Sequence, residues 1–208
     1  MTQTSTPASP VDQREVILAR SAELFASRGY PSTTMNEVAE ASLLSKATLY
    51  HYFSEKSELL LNITDGHVSR LVAVVEEVDR RSLAPPVRLR ALITGFMQEY
   101  ASAHHAHRVL TEDVRFLNPE ARQLVLDKER RVVNAFARAI AAVRPEIEVA
   151  NLSKPLTMLL FGMLNWMFTW LRPDGRLTYA EMAPIVTDLF FGGLEAVQVQ
   201  MQRDSTPT

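Results

Sequence analysis

The sequence predicts an all-α fold of about nine helices, with a three-helix N-terminal domain ahead of a larger helical domain. Three observations predict it. Apolar residues recur at helical spacing along most of the 208 residues, and no run alternates as a half-buried strand does. The breaks are marked by proline, with 11 Pro against only 7 Gly. Helix starts are also written into the chain. Thr34 and Thr178 are each followed three residues later by a glutamate, the spacing of a capping box, and Asn118-Pro119 pairs an N-cap with proline at the first helical position.

Composition limits the function. A chain that is 47% hydrophobic can bury a sizeable core. The absence of Cys excludes disulfides and thiolate metal sites. Net charge is −2, and the first 56 residues carry five Lys/Arg against six Asp/Glu, a net of −1. That excludes a nonspecific nucleic-acid coat, which needs a basic face, but leaves room for a specific reader with a few placed cations. Residues 1–10 and 203–208 read as disordered tails, with no secretory signal, so a cytoplasmic location is expected. Residues 155–171 are apolar, but they contain Asn165, Gly162 and two Thr at the lower limit of spanning length. They read as a buried or interface helix, so no membrane is expected.

In chain order, the first helix starts near Val11-Asp12, carries Val16, Ile17, Leu24 and Phe25 on one stripe, and stops at Gly29. A short helix capped by Thr34 runs through Val38 to Ala41, and Ser42-Leu43-Leu44 is a turn. Ser45 caps the next helix. Leu44, Leu49 and Phe53 then face inward, leaving Lys46, Ala47, Thr48, Tyr50 and His51 outside. Such a first turn aims its free N–H groups outward and suits a phosphate. This is the layout of a helix-turn-helix, whose second helix enters the DNA major groove. Residues 11–55 are assigned to it and residues 56–202 to a second, helical domain.

A long helix follows Ser54, with Gly66 inside it, to about Val78. Pro85-Pro86 breaks the chain. The next helix, residues 87–103, places Leu89, Leu92, Ile93, Phe96, Met97 and Tyr100 on one face. Residues 104–108 read as a break or tight corner, and residues 109–116 as a short helix. The helix opened by Asn118-Pro119 reaches Val143, where Pro145 ends it. Asn151 or Ser153 caps the apolar helix. Arg172-Pro173-Asp174-Gly175 is a turn. The last helix runs from Thr178 to about Met201, with a kink or restart expected at Pro184.

The stretch from Ser45 to Phe53, with Lys56 and Leu59-Leu60, resembles the signature of TetR-family transcriptional regulators. So do Ala22, Leu24, Phe25, Gly29-Tyr30, Thr33-Thr34, Val38-Ala39 and Ala41 before it. The match covers roughly residues 14–61. The resemblance implies a homodimer that holds a palindromic operator in double-stranded DNA and is released when a small-molecule effector binds. On this basis Lys46 and Ala47 stand where bases are read. Thr34, Ser45, Thr48, Tyr50, His51 and Lys56 stand around the phosphates, with Lys56 at a phosphate-lysine position. One departure is Leu43, where the family's turn usually carries Gly.

A second resemblance lies in Gly162 to Trp166, in Trp170-x-Arg172-Pro173 and in Leu189 to Leu194. These are similar to TetR-family regulators of fatty-acid, sterol or aromatic-acid catabolism that answer to acyl-CoA thioesters. Phe96, Tyr100, Phe116, Met163, Trp166 and Trp170 are the expected effector-binding residues, with Arg115 and Arg172, and also Arg108, placed for CoA phosphates. The last two helices, residues 153–170 and 179–201, are the expected dimer interface. No cofactor is expected. His104, His105 and His107, near Glu112 and Asp113, lack the i, i+4 spacing of a helical metal pair, so a solvated corner is expected and no metal. The alternative is a helical enzyme or small-molecule carrier with an incidental helix-turn-helix, but no nucleophile–base pair or phosphate loop supports it.

Overall fold

The computed structural model describes residues 10–171 and 175–198, and the turn at residues 172–174 and the two tails lie outside it. The described residues form ten α-helices and no strand. They are α1 (Pro10–Arg28), α2 (Met35–Ala41), α3 (Lys46–Tyr52), α4 (Lys56–Arg80), α5 (Pro85–Ser102), α6 (His104–Asp113), α7 (Pro119–Val143), α8 (Pro145–Val149), α9 (Ser153–Asn165) and α10 (Tyr179–Ala196). Short 3-10 turns follow α6 (Val114–Phe116) and α9 (Trp166–Thr169).

The chain divides into two compact units: Met1–Ser69 with Ala103–Leu126, and Arg70–Ser102 with Asp127–Thr208. The core of the first is built on Ile17, Phe25, Val38, Leu49, Phe53 and Leu60, and is completed by Val109, Leu110, Leu117 and Val125 from α6 and the chain after it. The core of the second gathers the apolar face of α5, with all six expected residues buried, against Phe136, Ile140, Leu160, Leu164 and Phe190. Phe96 packs edge-on against Phe136 at 4.8 Å between ring centroids. In the same unit α5 lies so close to α4 that a Cβ on Gly95 would meet Val74 Cγ1 at 2.6 Å.

The local start signals are realised. Both capping boxes form, at Thr34/Glu37 and Thr178/Glu181. The Ala121 N–H donates to Asn118 Oδ1 at 2.8 Å. Several expectations need correction. Residues 104–108 are not a corner but the opening of α6, and the break is at Ala103. The helix turns His107 inward to 3% exposure, with Nδ1 3.3 Å from Nε2 of the buried His67, so this histidine is not solvated. Pro145 ends α7 after Val143 as expected, and it also starts a short helix that was not expected, α8, since proline suits a first helical turn. Neither Asn151 nor Ser153 caps α9, whose N-cap is Leu152 with no side-chain bond, while Asn151 takes φ +58° in the preceding turn. The α-helical part of the apolar stretch stops at Asn165.

Helix α10 runs through Pro184 without a restart. The lost N–H bond faces the exposed side, where both Ala180 and Pro184 meet solvent. The helix ends at Ala196, short of Met201. There Arg144 donates to the carbonyls of Leu194, Glu195 (3.3 Å) and Val197 (3.1 Å), a cation closing a helix C-terminus. Among the described residues, no helix is long and apolar enough to cross a membrane.

The turn between α2 and α3 keeps its geometry despite Leu43. Leu43 takes φ +57°, its N–H bonds to Glu40 O at 3.0 Å, and the Leu44 N–H bonds to Ala39 O at 2.9 Å. This is a Schellman closure with leucine at the left-handed position. The side chain is 94% exposed, so packing does not offset its strain. Leu43→Gly is therefore expected to stabilise the protein by about 1 kcal/mol, read as a higher urea midpoint at unchanged slope.

Candidate nucleic-acid interface

The candidate reading element is α3 with the turn that precedes it. Ser45 is the N-cap, its Oγ accepting from the Thr48 N–H at 3.1 Å and lying 2.7 Å from Thr48 Oγ1. Leu49 and Phe53 are fully buried beneath, and Lys46, Ala47, Thr48, Tyr50 and His51 are exposed. Burying two large apolar side chains fixes which side of this seven-residue helix looks outward, each contributing about 1.5–3 kcal/mol. Lys46 extends over the Tyr50 ring at 5.8 Å from its centroid. Arg14 of α1 braces the far end of α3. It donates to Tyr52 O at 3.3 Å and Asn62 Oδ1 at 2.8 Å, and its guanidinium lies 4.3 Å over the Phe53 ring. This brace was not legible from sequence, because its partners lie 38 and 48 residues away.

Thr34 is exposed at the start of α2, but its donors are engaged. Its N–H and Oγ–H both reach Glu37 Oε2, at 2.8 and 2.9 Å. Glu37 also pairs with Arg28 at 2.9 Å. The Thr34 N–H and then its hydroxyl hold the Glu37 carboxyl below the usual carboxylate range against an opposing desolvation, with Arg28 adding to the lowering. The Thr178 N–H and hydroxyl do the same for Glu181. A carboxyl depressed in the folded state stabilises above its unfolded pKa and loses that stabilisation as pH falls through the folded value. Stability should therefore drop on acidification below about pH 4. The double variant Glu37→Gln, Glu181→Gln should show a shallower drop in thermal midpoint between pH 5 and about pH 2.5. An identical pH profile would remove these boxes as its cause.

Lys56, at the first position of α4, faces the protein. Its Nζ donates to Thr33 O at 2.7 Å, Tyr30 O at 2.8 Å and Pro31 O at 3.3 Å, and lies 4.4 Å from the Tyr30 ring centroid. Desolvation lowers its pKa, partly countered by Glu37. The Tyr30 ring meets Phe25 edge-on at 5.2 Å and stacks on Phe116 at 5.6 Å. The carboxyl of Asp113, which burial raises above its usual range, lies close enough to Tyr30 to act on it through its charge.

The expected effector residues fall in different surroundings. Phe96 and Tyr100 are buried together in the second unit, 6.0 Å apart, and the Tyr100 hydroxyl donates to Asn165 Oδ1 at 2.8 Å. Glu129, close enough to act on Tyr100 through its charge, is raised by burial. In the sequence Asn165 stood out only as a polar break in the apolar stretch, and Glu129 was not singled out. Met163 packs partly buried against the same core. Trp166 and Trp170 lie outward, 66% and 52% exposed. Phe116 belongs to the first unit, with the Arg115 guanidinium 4.9 Å over its ring. Arg172 lies outside the described residues. Among the described residues, no group of three or more His, Asp or Glu could hold a metal ion.

Residues 82–194 match the family model for tetracyclin repressor-like C-terminal domains, and residues 17–63 match that for bacterial regulatory proteins of the tetR family. The chain belongs to the TetR family. As a TetR-family member it is a ligand-responsive, DNA-binding transcriptional regulator. It is 31% identical to the transcriptional activator FasR of Mycolicibacterium smegmatis over 52% of this chain and 50% of that one. It is 22% identical to the transcriptional repressor KstR2 of the same organism over 93% and 96%. The TetR-family regulator from Bordetella parapertussis superposes with TM-score 0.84 at 29% identity, covering 93% and 100%. AibR, solved with isovaleryl coenzyme A and operator DNA, superposes with TM-score 0.73 at 24% identity, covering 85% and 97%.

Proposed function

We propose that this TetR-family chain is a homodimeric repressor acting in the cytoplasm, released from a palindromic operator by a small hydrophobic effector of the acyl-CoA thioester class. In this reading residues 11–55 read DNA and residues 56–202 bind effector and partner. The observation that carries it is the exposed first turn of α3, with Lys46, Ala47 and Thr48 outward above buried Leu49 and Phe53. Lys46 can donate to guanine O6 and N7, and the Ser45, Thr48, Tyr50 and His51 side chains can meet phosphate.

The homodimer reading is supported by α9 and α10. Their core-facing sides are buried, yet Met158, Leu159 and Trp166 on one stretch, and Ile185 and Leu189 on the other, are exposed. A Cβ added at Gly162, Gly192 or Gly193 meets nothing within 4 Å, so another backbone can come close there. Large apolar side chains left exposed on two neighbouring helices suit an interface, and a second copy fits this reading because a palindromic operator is two-fold symmetric. Two reading helices spaced by roughly 34–36 Å then address successive major grooves.

The acyl-CoA class is supported by the AibR complex and by the polar group that Tyr100, Asn165 and Glu129 form within an apolar core. In this reading Phe96, Tyr100 and Met163 meet the acyl part of the effector together with the outward Trp166 and Trp170, and Arg172 meets its phosphates. A mobility shift on the DNA upstream of its own gene, repeated with isovaleryl-CoA, longer acyl-CoAs and the matching free acids, tests it. Release by thioesters and not by acids is the expected result; release by none removes the effector class. The FasR name favours a second reading, activation at the same operator, and a promoter–reporter assay in cells lacking the gene separates the two.

A further inference from the structure

We infer that Lys56 is a positioning residue of the DNA-reading head and not one of its phosphate ligands. An ammonium has three N–H donors and no acceptor. All three are matched by main-chain carbonyls of a single turn: Thr33, Tyr30 and Pro31. That turn joins α1 to α2. Gly29 opens it at φ +85°, the buried Thr33 donates from Oγ1 to Gly29 O at 3.0 Å, and the next residue, Thr34, is the N-cap of α2. Lys56 therefore fixes the point and direction from which α2 and α3 leave α1.

The opposite side of the turn is held as firmly. The Tyr30 ring meets Phe25 and Phe116, and the Asp113 carboxyl lies close beside it. Moving the ammonium out to a phosphate would leave the carbonyls of Tyr30 and Thr33 without their charged donor and uncover the Tyr30 ring. The geometry also assigns Phe116 and Asp113 to this clamp, as the wall against which Lys56 presses the turn.

The inference rests on the chain reading DNA, and the wild type tests that separately. Full-length protein is used to select a duplex from random DNA, and specific binding of that duplex by the wild type is the control for the DNA reading itself. Lys56→Met keeps the aliphatic stem, and Lys56→Gln serves if the first variant does not fold. Affinity is then measured against salt for the selected duplex and for random duplex. A lost phosphate ligand weakens both duplexes alike and flattens the slope of log K on log salt by about 0.9. A lost positioning residue lowers affinity for the selected duplex about tenfold or more, leaves random duplex within twofold, and keeps the slope. Lys56→Arg, which can still donate to the carbonyls, should recover most of the loss. Equal weakening with a flattened slope overturns the inference, and so does unchanged binding by folded Lys56→Met.

Discussion

Leu189→Arg is expected to yield a helical monomer that no longer holds its operator. Leu189 is 65% exposed on α10, so the substitution removes little packing from its own chain. In the proposed dimer the same position is buried against a second copy, where an arginine brings an unpaired charge into an apolar contact. The effect on DNA follows from linkage between the two heads. A tethered second head binds at high effective concentration and adds about 10²- to 10⁴-fold to affinity. The monomer should forfeit that gain on a palindrome yet bind a half-site as the wild type does. Sedimentation gives the mass, circular dichroism the helix content, and anisotropy on whole and half operators the affinities. Leu159→Arg on α9, equally exposed, should reproduce the result. A dimer that persists in both variants would move the interface away from this face.

Lys46→Ala should erase sequence choice at one position of each half-site. The side chain leaves the first turn of α3, exposed, and its removal leaves the Ser45 cap and the buried Leu49 untouched. A good side-chain contact to a base edge discriminates by about 1–3 kcal/mol, roughly 5- to 150-fold. The variant should bind the selected operator more weakly by this factor and should lose its preference among duplexes altered at the contacted base pair. Preference at the remaining positions should stay. If all duplexes weaken equally and the salt slope flattens, Lys46 meets a phosphate and the register of α3 in the groove is different.

What could be read from sequence was mostly local. Caps at Thr34, Ser45, Asn118 and Thr178 join groups three residues apart, so a short pattern determines them. The six buried residues of α5 follow from helical period alone. The misses depend on distant partners. Residues 104–108 look polar enough for a corner, but His107 finds His67 forty residues away and the helix continues. The pattern around Lys56 gives no hint that its Nζ bonds to the carbonyls of Tyr30 and Thr33, 26 and 23 residues away. The outward Trp166 and Trp170 follow from the change to a 3-10 turn after Asn165, which the unbroken apolar run concealed. Leu43 differs again: the departure was visible, and the backbone accepted it by straining one residue.

The core beneath the reading helices is closed by Val109, Leu110, Leu117 and Val125, which arrive some forty residues after α4 begins to leave it. The head is therefore not a cassette. A fragment ending with α4 lacks Val109, Leu110, Leu117 and Val125, which share one core with Phe25, Leu60 and Ile63. Exchanging DNA specificity between relatives requires either repainting the outer face of α3 alone or transplanting residues 103–126 together with the N-terminal helices. Evolution of new operators in such a chain is correspondingly confined to the few side chains that carry none of the shared core.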